Sequence, residues 1–221
     1  MSDIFSYLDK IVATSPPRPV FVEIGAARGE DSARIVERLA TLNPYILYEY
    51  YAFEPDPRNI ASIKSSQVNE RIHLIPAAVG DENKRVVFHQ SGGKNPQFGY
   101  EHTLSGSLKK PVQHLQAHPW CKFDTTIEVR MVTLNSFFEM FSLTHIDFIW
   151  CDVQGAEDLV LSGGAFALEH TKFFYTEYYN HEMYEGQIPA PEIHRRLGPN
   201  WKIVDQWTND ILFENTCPIP K

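Results

Sequence analysis

The sequence predicts an α/β protein, a mostly parallel sheet with helices on both faces and an antiparallel edge at its C-terminal end. Three observations carry this. Short apolar runs, turn residues and helical patterns alternate along most of the chain. Several of the runs are continuously apolar, as in strands covered on both faces. The chain then closes with two strands, residues 201–207 and 211–213, with only a short Asn-Asp turn between them. So short a link joins antiparallel neighbours, not parallel ones.

Each element has its own local cause. Residues 19–24 form a buried strand, and Gly25 to Gly29 supply the turn that follows. Asp31 or Ser32 can cap the next helix, which should run to about Leu42, before Pro44. Residues 51–54 read as a second strand. Asp56 followed by Pro57 is an N-cap with proline at the first helical position. Residues 71–76 and 85–89 read as strands, with Asp81-Glu82-Asn83 turning between them.

Residues 91–120, rich in Gly and Pro, form a long irregular segment that reads as a mobile lid or insertion. A strand returns at 126–134, and Asn135 can cap a helix containing Phe137 and Phe138. Residues 146–151 are a strongly apolar strand ending at Asp152. Residues 155–161 are helical and stop at Gly163-Gly164. A strand at 172–177 and a short helix at 191–197 precede the closing pair.

At 221 residues the chain is sized for a single domain, 1–221. Its 43% hydrophobic and 22% charged residues exclude a disordered chain. A net charge of −8 repels phosphate backbones and anionic lipid, so neither nucleic acid nor membrane is expected as a partner. Three cysteines cannot all pair, and none has zinc-ligand spacing, which points to a reducing compartment. The first ten residues lack the basic flank and apolar run of a signal peptide, and no stretch has membrane-spanning length. The expectation is a cytoplasmic protein.

The chemistry concentrates at strand ends. Gly25 and Gly29 allow close approach of backbone to ligand, but the spacing is Gly-x-x-x-Gly, not the GxGxxG of dinucleotide sites. Glu23, two residues before the first glycine, disfavours a diphosphate and suits a cation. S-adenosylmethionine carries a sulfonium and an ammonium and no phosphate. Glu54, at the end of the next strand, is placed to accept ribose hydroxyls. Ala77, Ala78 and Val79 fit beside an adenine, although simple packing explains them about as well. Asp152 and Glu177 end later strands, where open α/β sheets bind their ligands.

FVEIGAARGE, YAFEPDP, IHLIPAAVGD, VTLNSFFE and IDFIWCDVQGAEDLVLSGG, in that order, resemble the FkbM family of S-adenosylmethionine-dependent methyltransferases. The resemblance implies a class I (Rossmann-like) methyltransferase with a seven-stranded sheet, most often methylating a hydroxyl. Carried over, it places Glu23, Gly25 and Gly29 around the methionine end of the cofactor, with Ala27, Ser32 and Pro55 also among the cofactor-binding residues. It places Glu54 at the ribose, Ala78 and Val79 at the adenine, and Asp152 where cofactor meets acceptor. Ala27 stands where many methyltransferases have glycine, and Gln154 where this family often has Glu.

For the acceptor, the aromatic and acidic residues 175–185 suggest a pocket for a sugar or polyketide-type hydroxyl. Asp152, Glu177 and His181 are the catalytic candidates, as bases. A divalent metal shared by Asp152 and Glu177 is the less favoured alternative. Two rival readings are a nicotinamide-dependent oxidoreductase and a non-catalytic module that binds an adenosyl ligand.

Overall fold

The computed structural model describes residues 4–15, 17–97 and 99–217. The first residues of the N-terminal stretch judged not to be a signal peptide, Met1 to Asp3, lie outside the described residues, as do the last four of the domain. In chain order the elements are α1 (Ile4–Thr14), β1 (Val20–Ile24), α2 (Glu30–Leu42), β2 (Glu49–Phe53), α3 (Pro57–Ser65), β3 (His73–Ile75), β4 (Ala78–Val79), β5 (Lys84–Gly92) and α4 (His114–Ala117). They continue as β6 (Lys122–Val132), α5 (Leu134–Met140), β7 (Ile146–Cys151), α6 (Glu157–Gly163), α7 (Ala165–Glu169), β8 (Thr171–Glu177), α8 (Ala190–Leu197), β9 (Trp201–Gln206) and β10 (Asp210–Asn215).

Seven strands form the main sheet in the order β3-β2-β1-β7-β8-β10-β9. The pairings from β3 to β8 are parallel, and β10 runs antiparallel to both β8 and β9. The chain leaves β1 toward β2 and β3, then returns on the other side of β1 to form β7. Strand order therefore reverses between β1 and β7, and a crevice opens above their carboxyl ends.

Alternation along the strands builds two cores. Val20, Val22 and Ile24 of β1 pack with Phe137 and Phe138 of α5, Val160 of α6, Ala167 of α7 and Ile193 of α8. Phe21 faces the other way, with Leu8 of α1, Ile35 and Leu39 of α2 and Ile63 of α3. The helices thus cover both faces, as expected. No helix among the described residues is long and apolar enough to cross a membrane.

The structure differs from the sequence reading in several places. Helix α1 was not anticipated; Ile4, Leu8 and Ile11 at helical spacing bury against the α2 side. Helix α2 starts at Glu30, with Gly29 as its N-cap in a left-handed conformation, so neither Asp31 nor Ser32 caps it. Thr133, not Asn135, caps α5, accepting from the Ser136 amide. Asn135 Oδ1 instead accepts from the Ala167 amide at 3.0 Å and ties α5 to α7.

The strands read at 85–89 and 126–134 leave the main sheet. With β4 they make a second sheet, β4-β6-β5, in which β5 and β6 pair antiparallel. Residues 93–121 link the tips of this hairpin and pack back on the body. Ser107 exchanges two backbone hydrogen bonds with His89, and the Val112 amide donates to the Met183 carbonyl.

Candidate active site

The crevice begins with the turn after β1. The Gly25 and Ala26 amides both donate to the Phe53 carbonyl, and the Asp152 amide donates to the Ile24 carbonyl. These bonds bind the carboxyl ends of β1, β2 and β7 into one floor. Gly25 has φ +92, and a Cβ there would lie 1.8 Å from the Asp152 carbonyl oxygen. Only glycine lets the turn approach β7 this closely. Ala27 sits at φ +47, where it is tolerated but strained.

Above this floor lies a cavity of about 270 Å³. The turn residues Gly25 to Arg28 form one wall, with Glu54 and Pro55 beyond β2. Ala77, Ala78 and Val79 form an apolar side, faced by Phe88, Leu104 and Leu108. Asp152, Val153 and Gln154 close the end toward β7, and Asp31 reaches in from α2.

Glu54 is almost wholly buried. Its Oε2 accepts from the Ala27 amide at 2.8 Å, and its Oε1 from the Asp56 amide at 2.7 Å. Burial pushes its pKa up to about 8, against the pull of those donors. A carboxylate has about four lone-pair sites. Oε2 therefore keeps acceptor capacity toward the cavity.

At the β7 end, the Gln154 amide nitrogen donates to Asp152 Oδ1 at 2.7 Å and to Glu177 Oε2 at 3.2 Å. The Tyr179 hydroxyl donates to Glu177 Oε1 at 2.9 Å. Burial, then the Asp152 charge, raises Glu177; burial likewise raises Asp152, while the Gln154 donor pulls it down. Two such neighbours give up their protons as a pair, so that one proton is retained well above the ordinary carboxylate range.

Of the predicted residues, Gly25, Ala27, Glu54, Pro55, Ala78, Val79 and Asp152 line the cavity. Five do not. Glu23 shares the strand face of Phe21, beneath α2, where Ser32 and Tyr50 both donate to its Oε2. Its buried carboxyl is pushed up to about 7. Glu23 and Ser32 thus brace the turn from below, and the period of the strand is the reason. Gly29 caps α2 and packs toward Ile63 and Val68.

Glu177 meets Asp152 only through Gln154. His181 is exposed, its ring edge-on to Tyr179 at 5.6 Å. It is not among the residues that line the cavity. Among the described residues, no three His, Cys, Asp or Glu side chains are grouped as a metal centre requires.

The sequence reading missed Arg28, Asp31, Asn59, Phe88, Leu104 and Leu108 as lining residues. Arg28 and Asp31 flank the glycine turn, so proximity alone could have flagged them. Phe88 and Leu104 come from the hairpin and from the segment that folds back beside it. No local pattern announces them.

A Rossmann-like sheet has here a cavity at its switch point, walled by a glycine turn and an acidic strand end, the place where open α/β sheets bind their ligands. Residues 23–210 match the methyltransferase FkbM domain. The chain is also 38% identical over 205 residues to the 2-O-methyltransferase NoeI of Sinorhizobium fredii (strain NBRC 101917 / NGR234), covering 90% of this chain and 81% of that one. The chain belongs to the FkbM methyltransferase family and is a methyltransferase, which leaves the nicotinamide reading without support. A solved rRNA methylase from Streptococcus thermophilus aligns over 97% of this chain and 98% of its own, at 11% identity and a TM-score of 0.48.

Proposed function

We propose that the cavity binds S-adenosylmethionine and that the enzyme methylates a hydroxyl of a sugar or similar small molecule, with the 2-O position of a glycoside as the first candidate. The carrying observation is the cavity wall itself. A buried acid with spare acceptor capacity, Glu54, stands between a glycine turn and a slot lined by Ala78, Val79 and Leu104. That order suits a ribose diol between a charged amino-acid end and a flat apolar ring. Among the described residues the wall also holds Glu30, Asp31 and Asp152 against the single cation Arg28, a balance that disfavours a diphosphate. The name of the curated relative supports oxygen as the accepting atom.

Held there, S-adenosylmethionine would supply its sulfonium methyl to the acceptor oxygen, the sulfur keeping the electron pair of the broken bond. The protein's part is positioning, water exclusion and removal of the hydroxyl proton. The turn Gly25 to Ala27, its amides already bonded to Phe53 and Glu54, packs against the methionine end, and Glu54 holds the ribose. Asp152, at the cavity's β7 end, receives the proton. Its pKa is raised by burial, which strengthens it as a base near neutral pH. Glu177 stands behind it, through Gln154.

Calorimetry with S-adenosylhomocysteine tests the binding, with NAD as the negative control. Mass spectrometry of S-adenosylmethionine reactions against a panel of neutral glycosides tests the transfer. A protein that binds neither adenosyl ligand overturns the reading. One that binds but methylates nothing in the panel overturns the glycoside as acceptor.

A further inference from the structure

We propose that Gln154 is a positioning residue for methyl transfer: its carboxamide clamps Asp152 and Glu177 and so aims the carboxylate that takes the acceptor's proton. This rests on the reading of the cavity given above and goes beyond it by assigning Gln154 a role.

The geometry leaves the amide no spare hydrogen. Its nitrogen carries two, one committed to Asp152 Oδ1 at 2.7 Å and the other to Glu177 Oε2 at 3.2 Å. The amide oxygen lies 3.0 Å from the Tyr184 hydroxyl, a donor that also reaches the Ser105 carbonyl at 2.8 Å. The Gln154 carbonyl accepts from Ser107 Oγ at 2.8 Å. The backbone is held at φ +54, in the left-handed region. Such a conformation in a residue other than glycine persists where its surroundings over-determine it. The next residue, Gly155, packs so closely that a Cβ would fall 2.7 Å from Tyr184 Cβ. The clamp is therefore gripped on its side chain, its carbonyl and its neighbour.

An amide does here what an acid cannot. It donates to both carboxyls in every protonation state, whereas a carboxyl donates only while protonated. The surroundings make this matter. Asp31 from α2, Asp210 from β10, and Glu157 from α6 all add negative charge around the pair. The phenols facing the group are those of Tyr175 and Tyr179, along β8 and just past it, and Tyr184 from the loop before α8. All three are pushed above the ordinary tyrosine range by burial. The Gln154 donor is the largest influence holding Asp152 down against burial.

Gln154→Met removes both donors at nearly constant volume, and Gln154→Glu substitutes a group that must be protonated to donate. Carbon NMR of the side-chain carboxyls in the whole protein, with S-adenosylhomocysteine bound, reads the clamp without turnover. In Gln154→Met the Asp152 midpoint should rise by about one pH unit, because a donor to the charged form has been lost. With an acceptor from the glycoside panel, kcat should fall by about tenfold or more, its acidic limb moving with that midpoint. Gln154→Glu, whose protonated carboxyl has one hydrogen for two acceptors, should be slower than wild type throughout and slower still as the new carboxyl ionises.

S-adenosylhomocysteine affinity should stay within about threefold of wild type in both variants, well under the tenfold that corresponds to ~1.4 kcal/mol. An unmoved Asp152 midpoint in Gln154→Met overturns the proposal. So does an equal loss of kcat and cofactor affinity at every pH, the mark of a purely structural role. If wild-type protein fails to bind S-adenosylhomocysteine, the cavity reading falls first, and calorimetry on wild type alone detects that case.

Discussion

Replacing Gly25 by alanine should damage both the fold and the site, and the structure gives the size of the effect. The added Cβ would sit 1.8 Å from the Asp152 carbonyl oxygen and 2.9 Å from its carbonyl carbon. Both obstacles are backbone, so no rotamer change relieves them. The backbone at φ +92 adds a conformational penalty for any L side chain. Left-handed strain costs ~1–2 kcal/mol. Forcing an extra methyl into packed surroundings costs ~1–3 kcal/mol more. With about 3 kcal/mol as a middle value, the melting temperature of a domain this size should fall by roughly 6–12 °C.

The relief available to the chain is to part β1 from β7, breaking the bond from the Asp152 amide to the Ile24 carbonyl. That shift carries Asp152 away from the turn, so S-adenosylhomocysteine affinity should drop by about tenfold or more. Circular-dichroism melts and calorimetry on the same preparation measure both. A variant that melts within about 2 °C of wild type, below the cost of a single kcal/mol, refutes the claim that this contact requires glycine.

Other outcomes can be stated more briefly. Above pH about 8, where Glu54 is ionised, Glu54→Gln should weaken S-adenosylhomocysteine binding by about 100-fold, from the loss of charge-assisted bonds of ~1.5–3 kcal/mol each, as read by calorimetry. Glu54→Ala is the poorer probe, because it also orphans the Ala27 and Asp56 amides and should lower the melting temperature. Glu54, raised to about 8, and Glu23 and Glu157, both raised to about 7, bind protons more tightly folded than unfolded. Their contribution is complete below the ordinary carboxylate range and is lost as pH rises through those folded values. Ligand-free protein should therefore melt higher at pH about 6 than at pH about 8, and the reverse order would contradict the burial argument. Ala27→Gly should change stability by less than about 1 kcal/mol in thermal melts, since relief of left-handed strain offsets the greater freedom of the unfolded chain. S-adenosylhomocysteine should slow proteolysis within residues 91–120, whose Thr103, Leu104 and Leu108 face the cavity. Unchanged cutting would separate that segment from ligand binding.

What the sequence determined by itself had local causes, although helix α1 and the caps of α2 and α5 escaped it. Apolar runs ending in Glu54 and Asp152, the glycine turn, and the Asp56-Pro57 helix start are each set by neighbours in the chain. Their order, strand to turn to helix, was enough to put these acids at carboxyl ends of strands, and Glu54 and Asp152 do line the cavity. Parity and distant pairing were decided only by the tertiary structure. Glu23 stands next to Ile24, yet the two-residue period turns it under α2, to Ser32 and Tyr50.

The strands at 84–92 and 122–132 carry ordinary strand patterns; only their pairing with each other, across some thirty residues of chain, takes them out of the main sheet. That pairing and the packing of the segment between them bring Phe88, Leu104 and Leu108 opposite Ala78. The same holds for Gln154, which the sequence marked only as an amide where its family often has an acid. Its meaning comes from Glu177, 23 residues further along and one strand over. Contacts of that kind depend on how strands are ordered and registered in space, and no short stretch of sequence encodes that order.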